Sequence, residues 1–506
     1  MGAKSAGTAR HVEVERKYDV PGPTVVPSFD GISTVARVER HPSQSLDAVY
    51  FDTSGHDLAR HRVTLRRRTG GSDAGWHLKL PAGADARTEV HAPLDGGLHA
   101  DGTEVPAELV DIVLAIVRDR ALVPVARITT TRQVVKLYAD DGTELAEFAD
   151  DEVSAWAMNP DGDPGEAQHW HEWELELAEG ERDGGRDLLK RLGNRLLDAG
   201  AEPAGHGSKL AKVLADGLVT NAEVPEPPSD PVHRAVAEQV AELVEWDRAV
   251  RADVYDSVHQ MRVITRKIRS LLQASEGAFG LTDDAWILDE LRQLAGVLGM
   301  ARDAEVLAER YQRALDCLPP ELVRGEVREQ LVDGANRRYQ AGLRRSLTAM
   351  RSPRYFRLLD ALEALVAVEP PEAAPGEERA PVSIDSAYKR VRKAAKTAEN
   401  AVEEHKDEAL HRIRKGAKRL RYVAAATGEP KVSERAKVIQ TLLGDHQDSV
   451  VSRTHLSQQA EIAHAAGEDT FTYGLLYQQE DDLARRSRDQ LDDALSALKR
   501  SVRKAQ

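Results

Sequence analysis

The chain has 506 residues, 41% of them hydrophobic and 30% charged, and its formal net charge is −15 at pH 7. This length predicts two or three domains, and the negative charge argues against generic binding to DNA or RNA. The sequence has no run of 18 apolar residues and no apolar core segment near its N-terminus, so we expect neither a membrane span nor a secretory signal, and a cytoplasmic location.

Two Pro-rich segments divide the chain. The first, TNAEVPEPPSDP at 220–231, predicts a linker between an N-terminal domain (1–219) and a C-terminal domain (232–506). The second, at 368–383, splits the C-terminal domain into two parts, about 232–367 and 384–506. The C-terminal domain shows long amphipathic runs with helical spacing and almost no strand pattern.

The N-terminal domain shows a different pattern, with short alternating segments separated by Gly, Asp and Pro. These segments predict antiparallel strands at 11–18, 62–68, 76–80, 127–137, 144–150 and 171–177. Two helical stretches interrupt them, near 107–119 and 184–199. The chain is therefore predicted to be an α+β multidomain protein: a β domain with helices, followed by an all-α region.

The first predicted strand, HVEVERKYDV at 11–20, carries an unusual set of charges. Successive side chains of a strand point to opposite faces, so Glu13, Glu15 and Lys17 share one face. A solvated sheet face would account for one such strand. The same alternation recurs in other predicted strands: Arg66 and Arg68 in TLRRRTG, His77 and Lys79 in WHLKLP, Arg132 in ITTTRQVVKL, and Glu172, Glu174 and Glu176 in HEWELEL. We therefore expect a closed antiparallel barrel, with helices covering its apolar outside and charges lining a water-filled lumen.

Charges of both signs in one lumen have a chemical explanation. Arginines and lysines attract a polyanion such as a triphosphate. Clustered carboxylates would repel that anion unless they held Mg²⁺ or Mn²⁺, hard cations that take oxygen ligands and bridge phosphates. The single cysteine, Cys317, excludes a multi-cysteine metal site.

The motifs of this domain resemble those of the CYTH domain, the triphosphate tunnel metalloenzyme superfamily. EVERK matches the family's E-x-E-x-K motif, and YFDTSGHDL, LRRR, HLKLP, ITTTR, LAEFADD, EWELEL and SKLAK follow in order over about 200 residues. The resemblance implies an eight-stranded antiparallel barrel with Mg²⁺- or Mn²⁺-dependent chemistry on triphosphates.

The resemblance also implies roles for individual residues. The metal face would be Glu13, Glu15, Asp150, Glu172 and Glu174, and the phosphate-binding residues Lys17, Arg66, Arg68, Lys79, Arg132 and Lys209. Glu13, Glu15 and Lys17 would carry the catalysis. Asp151 is an alternative to Asp150, and Glu176 continues the row of Glu172 and Glu174, so the choice within each group stays open. Asp52 in YFDT is expected to be structural, and His77 an ordinary partly buried histidine.

The helical half contains a repeat. HQMRVITRKIR (259–269) and HRIRKGAKRLR (411–421) share a histidine followed by cations three, seven, eight and ten positions later. Positions 0, 3, 7 and 10 of a helix form one stripe. LGMARDAEV (298–306) and LGDHQDSVV (443–451) also share L-G-x-x-x-D, so the half is a duplication. We expect the two basic stripes to meet on one surface that binds an anion, rather than to form a solvated basic face.

This half resembles the CHAD domain, the conserved histidine α-helical domain, which is associated with polyphosphate binding. The resemblance implies polyphosphate contacts by two sets of residues, His259, Arg262, Arg266, Lys267 and Arg269, and His411, Arg414, Lys418, Arg419 and Arg421.

The predicted function is a metal-dependent triphosphatase acting on inorganic triphosphate or short polyphosphate, with polyphosphate bound by the helical domain. Two alternatives stay open, an adenylyl cyclase and a non-catalytic polyphosphate-binding scaffold. We expect no membrane partner and no sequence-specific nucleic acid, because only 5% of residues are aromatic and the stripes lack platforms for stacking bases. The sequence does not predict an oligomeric state.

Overall fold

A computed structural model describes residues 9–22, 24–83, 86–94, 104–159, 162–178, 184–215, 230–274, 284–367 and 384–505. The chain divides into two compact units, Met1–Val224 and Pro225–Gln506. Most of the predicted linker and all of the second Pro-rich segment lie outside the described residues.

The first unit is built around one sheet. Its strands are β1 (Ala9–Asp19), β2 (Arg37–Arg40), β3 (Gln44–Asp52), β4 (Thr64–Thr69), β5 (Gly75–Pro81), β6 (Ala86–Ala92), β7 (Val123–Tyr138), β8 (Glu144–Met158), β9 (Pro164–Leu177) and β10 (Glu202–Pro203). Eight of them pair antiparallel in the order β1-β6-β5-β4-β3-β7-β8-β9, and β9 pairs back onto β1 to close the barrel. β2 pairs with β7, and β10 pairs with β1. The predicted eight-stranded antiparallel barrel is confirmed.

Four helices accompany the barrel: α1 (Asp57–Arg60), α2 (Ala107–Val117), α3 (Gly185–Asp198) and α4 (Lys209–Val213). α2 and α3 correspond to the two predicted helical stretches. Trp173 and Leu175 of β9 pack in one buried core with Leu188 and Leu192 of α3. Full burial of a side chain of this size contributes about 1.5–3 kcal/mol. Because of this packing, the apolar side chains of β9 point to the outside of the barrel, and its charged side chains point into the lumen.

One end of the barrel is filled by α4. Leu210 and Val213 of this helix pack in a buried cluster with Tyr50, Ile128 and Val153 from the barrel strands. The hydroxyl of Ser208 caps the helix by accepting a hydrogen bond from the Ala211 N–H at 3.1 Å. The apolar contacts of α4 therefore close this end and hold Lys209, the first residue of the helix, beside the lumen.

The second unit is helical, as predicted. Its helices are α5 (Pro231–Arg251), α6 (Ser257–Ala274), α7 (Asp284–Asp316), α8 (Gly334–Ala349), α9 (Pro353–Ala367), α10 (Ile384–Glu399), α11 (Glu403–Ala426), α12 (Pro430–Ala465), α13 (Phe471–Asp489) and α14 (Leu491–Ala505). A 3-10 turn (Pro320–Leu322) and a π-helical turn (Glu329–Asp333) precede α8. The two predicted basic stripes lie on α6 and α11, which pack against each other. Across the described ranges, no helix is long and apolar enough to cross a membrane.

Candidate functional site

The barrel encloses a cavity of about 670 Å³ with a strongly charged lining. All six predicted phosphate-binding residues line it: Lys17, Arg66, Arg68, Lys79, Arg132 and Lys209. Glu13, Glu15, Glu174 and Glu176 line the same cavity. Strand pairing produces this arrangement, because Glu15 lies opposite Glu176 and Lys17 opposite Glu174 where β1 meets β9. The alternation in the sequence thus places charges of both signs in one enclosed space.

The end of the cavity near α4 contains a cluster of Asp151, Glu172 and Glu174. The Lys209 Nζ lies 2.9 Å from Asp151 Oδ2, 2.5 Å from Glu172 Oε1 and 2.7 Å from Glu174 Oε1. Arg132 donates two hydrogen bonds to Asp151, at 2.8 and 2.6 Å, and one to Glu174 at 2.6 Å. Burial would lower the pKa of Lys209, but these three carboxylates raise it well above its ordinary value. A lysine ammonium therefore already occupies the centre of this cluster.

The structure resolves the choice between the two consecutive aspartates of β8. Asp150, which the sequence placed on the metal face, points out of the lumen, where it accepts a hydrogen bond from Trp173 Nε1 at 2.9 Å and contacts His171. Asp151 is fully buried and lies opposite Arg132 across the β7–β8 pair. Because adjacent residues of a strand face opposite ways, only one aspartate reaches the lumen, and that residue is Asp151.

The opposite side of the cavity holds a second cluster, His11, Glu13 and Glu89. The His11 Nε2 lies 3.3 Å from Glu13 Oε1 and 3.3 Å from Glu89 Oε2. Sequence reasoning missed His11 and Glu89. The signal was present in ARTEVHA, where Arg87, Glu89 and His91 alternate, but this short strand was not among the predicted segments.

The carboxylates on this side repel one another. Burial, followed by the hydrogen bond with Glu89, raises the pKa of Glu13 to about 7. Burial and the nearby charge of Glu13 raise the pKa of Glu176 to about 8. Burial opposes ionisation of Glu15 as well, but Lys17 and Lys79 hold its pKa at about 2. Burial and neighbouring carboxylates thus disfavour ionisation of Glu13 and Glu176, and a divalent cation would relieve this repulsion. Glu13, Glu15 and the adjacent Glu89 fit a divalent cation.

On β4, positive charges are crowded together instead. Burial, together with the charges of Arg66 and Arg132, lowers the pKa of Arg68 to about 9. Arg66 donates a hydrogen bond to the Tyr50 hydroxyl at 3.3 Å, and Asp73 forms an ion pair with Arg68 at the β4–β5 turn. A buried arginine whose pKa is lowered by neighbouring cations indicates a site suited to an anion.

Two further residues were assigned structural roles from the sequence. Asp52 accepts hydrogen bonds from the backbone N–H groups of Thr53, Leu58 and Ala59 at 2.7–2.9 Å and so caps α1, which confirms its structural role. His77 is 2% exposed, pairs with Glu89 at 2.6 Å, and lies 2.9 Å from the Asp73 carbonyl. Burial lowers the pKa of His77 to about 4, although the hydrogen bond with Glu89 opposes this shift.

In the helical unit, four cations of the two basic stripes converge. Burial, followed by the charges of Arg266, Arg414, Arg262 and Arg421, lowers the pKa of Lys418 to about 6. Burial lowers the pKa values of His259 and His411. The charge of Lys418 adds to the shift of His259, and the charge of Arg266 adds to that of His411. Residues of α6 and α11 therefore share one electrostatic environment, which supports the predicted meeting of the stripes.

Three cations of the predicted polyphosphate set point elsewhere. Lys267 is near Glu238 and Glu242 of α5. Arg269 is near Asp289 and Arg292 of α7, and Arg419 donates to the Gln273 carbonyl. The central surface is thus formed by Arg262, Arg266, Arg414 and Lys418, with Arg421 and Tyr422 beside them.

The repeated L-G-x-x-x-D motif supports this surface. A Cβ atom on Gly299 would lie 3.3 Å from the Arg262 guanidinium, and one on Gly444 would lie 3.4 Å from that of Arg414. Gly299 of α7 and Gly444 of α12 therefore each lie against the first arginine of the stripe on the neighbouring helix. A glycine next to this arginine is found in both copies of the repeat.

Comparison with protein families identifies both units. A CYTH domain model matches residues 11–200, and a CHAD domain model matches residues 234–457. The chain is a CYTH–CHAD protein. The family predicted from its motifs is confirmed, and its barrel belongs to a family of tunnel metalloenzymes whose members often act on triphosphates.

This CYTH–CHAD protein has relatives along its whole length. The proteins named Uncharacterized protein MT2285 and Uncharacterized protein Rv2226, from two strains of Mycobacterium tuberculosis, are each 64% identical over 519 residues, covering 100% of both chains. Among solved structures, PptA from Streptomyces chartreusis matches at 21% identity and a TM-score of 0.45, over 53% of this chain and 99% of that one. The CHAD domain of Ricinus communis matches at 22% identity and a TM-score of 0.40, over 53% and 91%.

Proposed function

We propose that the barrel hydrolyses inorganic triphosphate or the end of a short polyphosphate with Mg²⁺ or Mn²⁺. The observation that supports this proposal is the charged cavity of the barrel, which is lined by seven lysines and arginines and eight carboxylates. Phosphoryl transfer needs mainly positioning and charge neutralisation. A triphosphate supplies the anion that the cations lack, and a dication supplies the positive charge that the carboxylates lack.

The charge of each residue in this site decides whether it would bind the metal ion or the phosphate groups. Glu13, Glu15 and Glu89 would hold the cation, which when bound neutralises phosphate charge and lowers the pKa of a bound water. Arg66 and Arg68 bind phosphate oxygens through guanidinium hydrogen bonds. Lys17, held by Glu15 at 3.0 Å and by Glu174, places a further ammonium group in the cavity to stabilise charge developing on the leaving phosphate. A carboxylate of the metal-holding set accepts the proton of the attacking water.

Phosphate release from triphosphate, ATP, thiamine triphosphate and long polyphosphate, each with Mg²⁺ or Mn²⁺, tests this proposal. We expect triphosphate to be the best substrate and Glu13→Gln and Glu15→Gln to abolish its hydrolysis without loss of fold. Full activity of both variants at saturating metal would refute the assigned metal ligands. Cyclic AMP as the main product from ATP would instead establish an adenylyl cyclase.

For the helical unit we propose metal-independent binding of long-chain polyphosphate. Four cations crowd together, and one of them, Lys418, has a pKa of about 6, an arrangement that a dense polyanion stabilises. The test uses the full chain in chelator, with Arg66→Ala and Arg68→Ala to silence the barrel, titrated with polyphosphate or with RNA of equal phosphate content.

We expect binding to polyphosphate that weakens steeply with salt. Joint substitution of Arg262, Arg266, Arg414 and Lys418 by Ala should remove it, whereas Arg269→Ala, outside the central surface, should not. Equal affinity for RNA, or undiminished binding by the fourfold variant, would refute a dedicated polyphosphate surface.

A further inference from the structure

The cluster of His11, Glu13 and Glu89 differs in kind from the acidic residues assigned to the metal from the sequence, because it contains an imidazole. Its donor spacing is informative. Two ligands bound about 2.0–2.2 Å from one metal ion lie about 3.0–3.5 Å apart at tetrahedral or octahedral angles. The His11 Nε2 lies 3.3 Å from one oxygen of each carboxylate. All three donor atoms lie within 4.8 Å of one another, a spacing that allows them to share one ion.

The remaining oxygen of each carboxylate is held by a different partner. Lys79 donates to Glu13 Oε2, and the ring of His77 lies with its Nδ1 2.6 Å from Glu89 Oε1. His77 is fixed in turn by its Nε2, 2.9 Å from the Asp73 carbonyl. Partners of this kind orient metal-ligating carboxylates and are typical of built metal sites. Each carboxylate thus directs one oxygen toward His11 and uses the other for support.

The backbone holds the same residues in place. His11 lies directly opposite Glu89 in the antiparallel pair of β1 and β6, and Glu13 follows two residues later on the same face of β1. Glu89 is also opposite Lys79 in the pair of β5 and β6. Ligands carried by adjacent paired strands are held more closely than ligands on loops. Glu13 and Glu89 are each 5% exposed, whereas the His11 side chain is 30% exposed, which leaves a path for the ion.

We propose that His11, Glu13 and Glu89 form a mixed nitrogen–oxygen metal site that selects a first-row transition dication, Mn²⁺ or Zn²⁺, over Mg²⁺. Mg²⁺ favours oxygen ligands and retains its waters, whereas Zn²⁺ favours imidazole, and Mn²⁺, although it also takes oxygen ligands, accepts imidazole more readily than Mg²⁺ does. The inference rests on the proposed function only in placing this ion in the triphosphate cavity. The competing explanation is a protonated His11 that forms ion pairs with both carboxylates and binds no metal.

The test measures metal binding to the full chain, stripped with chelator and dialysed, without triphosphate. Mn²⁺ is titrated by electron paramagnetic resonance and Zn²⁺ and Mg²⁺ by calorimetry. Electron spin-echo envelope modulation reports whether a ¹⁴N nucleus is bound to the Mn²⁺. His11→Gln and His11→Ala are compared with His169→Gln, whose histidine is exposed and lies 2.9 Å from the Ser154 hydroxyl. Thermal melting by circular dichroism checks that each variant folds.

We expect nitrogen modulation in the unmodified chain and in His169→Gln, and its loss in both His11 variants. Removal of one ligand should weaken Mn²⁺ and Zn²⁺ binding at least tenfold and leave Mg²⁺ affinity within twofold. Absence of nitrogen modulation in the unmodified chain, or unchanged Mn²⁺ affinity in folded His11 variants, would overturn the site. A chain that shows the modulation but hydrolyses no triphosphate would refute the proposed function and support this metal site.

Discussion

Polyphosphate binding by the helical unit should take up a proton at neutral pH. Lys418 on α11 is surrounded by Arg262 and Arg266 of α6 and by Arg414 and Arg421 of its own helix, and these charges together with burial bring its pKa to about 6. A phosphate chain lying against the group reverses the electrostatic balance and raises this pKa toward or above the ordinary value for lysine. The complex therefore holds a proton that the free protein has released.

The size of the effect follows from that pKa. At pH 7.5 about 3% of free molecules carry the Lys418 proton, so binding should take up nearly one proton, ~0.9 or more. At pH 5.5 most free molecules already carry it, and the uptake by Lys418 itself should fall to about 0.2. The affinity should therefore be nearly constant below pH 6. Above pH 6 it should decrease by up to about tenfold per pH unit, until the pH reaches the pKa of Lys418 in the complex.

Calorimetry at pH 7.5 in two buffers of different ionisation enthalpy measures the proton uptake directly. Long chains are required, because their few terminal phosphates contribute little titration near neutral pH. Lys418→Met should remove the uptake. Lys418→Arg should bind without it, since a guanidinium stays protonated throughout this range. Binding heats that are the same in both buffers, or a pH profile unchanged in Lys418→Arg, would refute the assignment of the missing proton to this residue.

Three further predictions concern particular contacts. Arg66→Ala and Arg68→Ala should each lower kcat/KM for triphosphate by about 2–4 kcal/mol equivalent. Arg67→Ala, on the opposite face of β4, should leave kcat/KM unchanged. A loss of activity in Arg67→Ala would show that the strand register is wrong. Asp151→Asn should reduce the free energy of unfolding, measured by denaturant melts, by about 3–5 kcal/mol, because Arg132 and Lys209 lose a buried partner. Asp150→Asn should reduce the same free energy by only about 1 kcal/mol. Gly299→Ala should weaken polyphosphate binding about twofold, because the new Cβ would lie 3.3 Å from the Arg262 guanidinium and shift it slightly. Gly296→Ala, with nothing within 4 Å of the new Cβ, should stabilise α7 by up to about 1 kcal/mol and leave binding unchanged.

The alternation of β1 and β9 was sufficient to predict the inside of the barrel, because a strand has a period of two and the apolar residues identify the outer face. Alternation could not decide between Asp150 and Asp151, since FADDE satisfies either register. Only the pairing of β8 with β7 places Asp151 opposite Arg132. Glu89 was missed for a related reason: its strand is short and bounded by alanines, so its pattern is too weak to identify by itself.

Helical spacing predicted the two basic stripes but overestimated their extent. A stripe on one helix spans a wide arc, and its members face different neighbours once the bundle packs. Arg266 lies near Arg414 and Lys418 of α11, and Arg262 lies between α11 and α7, where it donates to the Ala295 carbonyl at 3.3 Å. Lys267 and Arg269, one and three positions beyond Arg266, lie near charged residues of α5 and α7. The identity of the neighbouring helix at each position is tertiary information, which a single-sequence periodicity does not contain.

If the barrel acts on polyphosphate as proposed, the closure of one barrel end by α4 determines which part of the polymer can react. A phosphate chain cannot thread through a barrel whose far end is filled by Leu210 and Val213, so an internal linkage cannot reach the charged interior. Under that proposal, cleavage would be confined to chain termini, and each released phosphate would leave by the opening through which the chain entered. The departing product and the shortened chain would therefore use the same passage. Turnover on long chains should slow as orthophosphate accumulates.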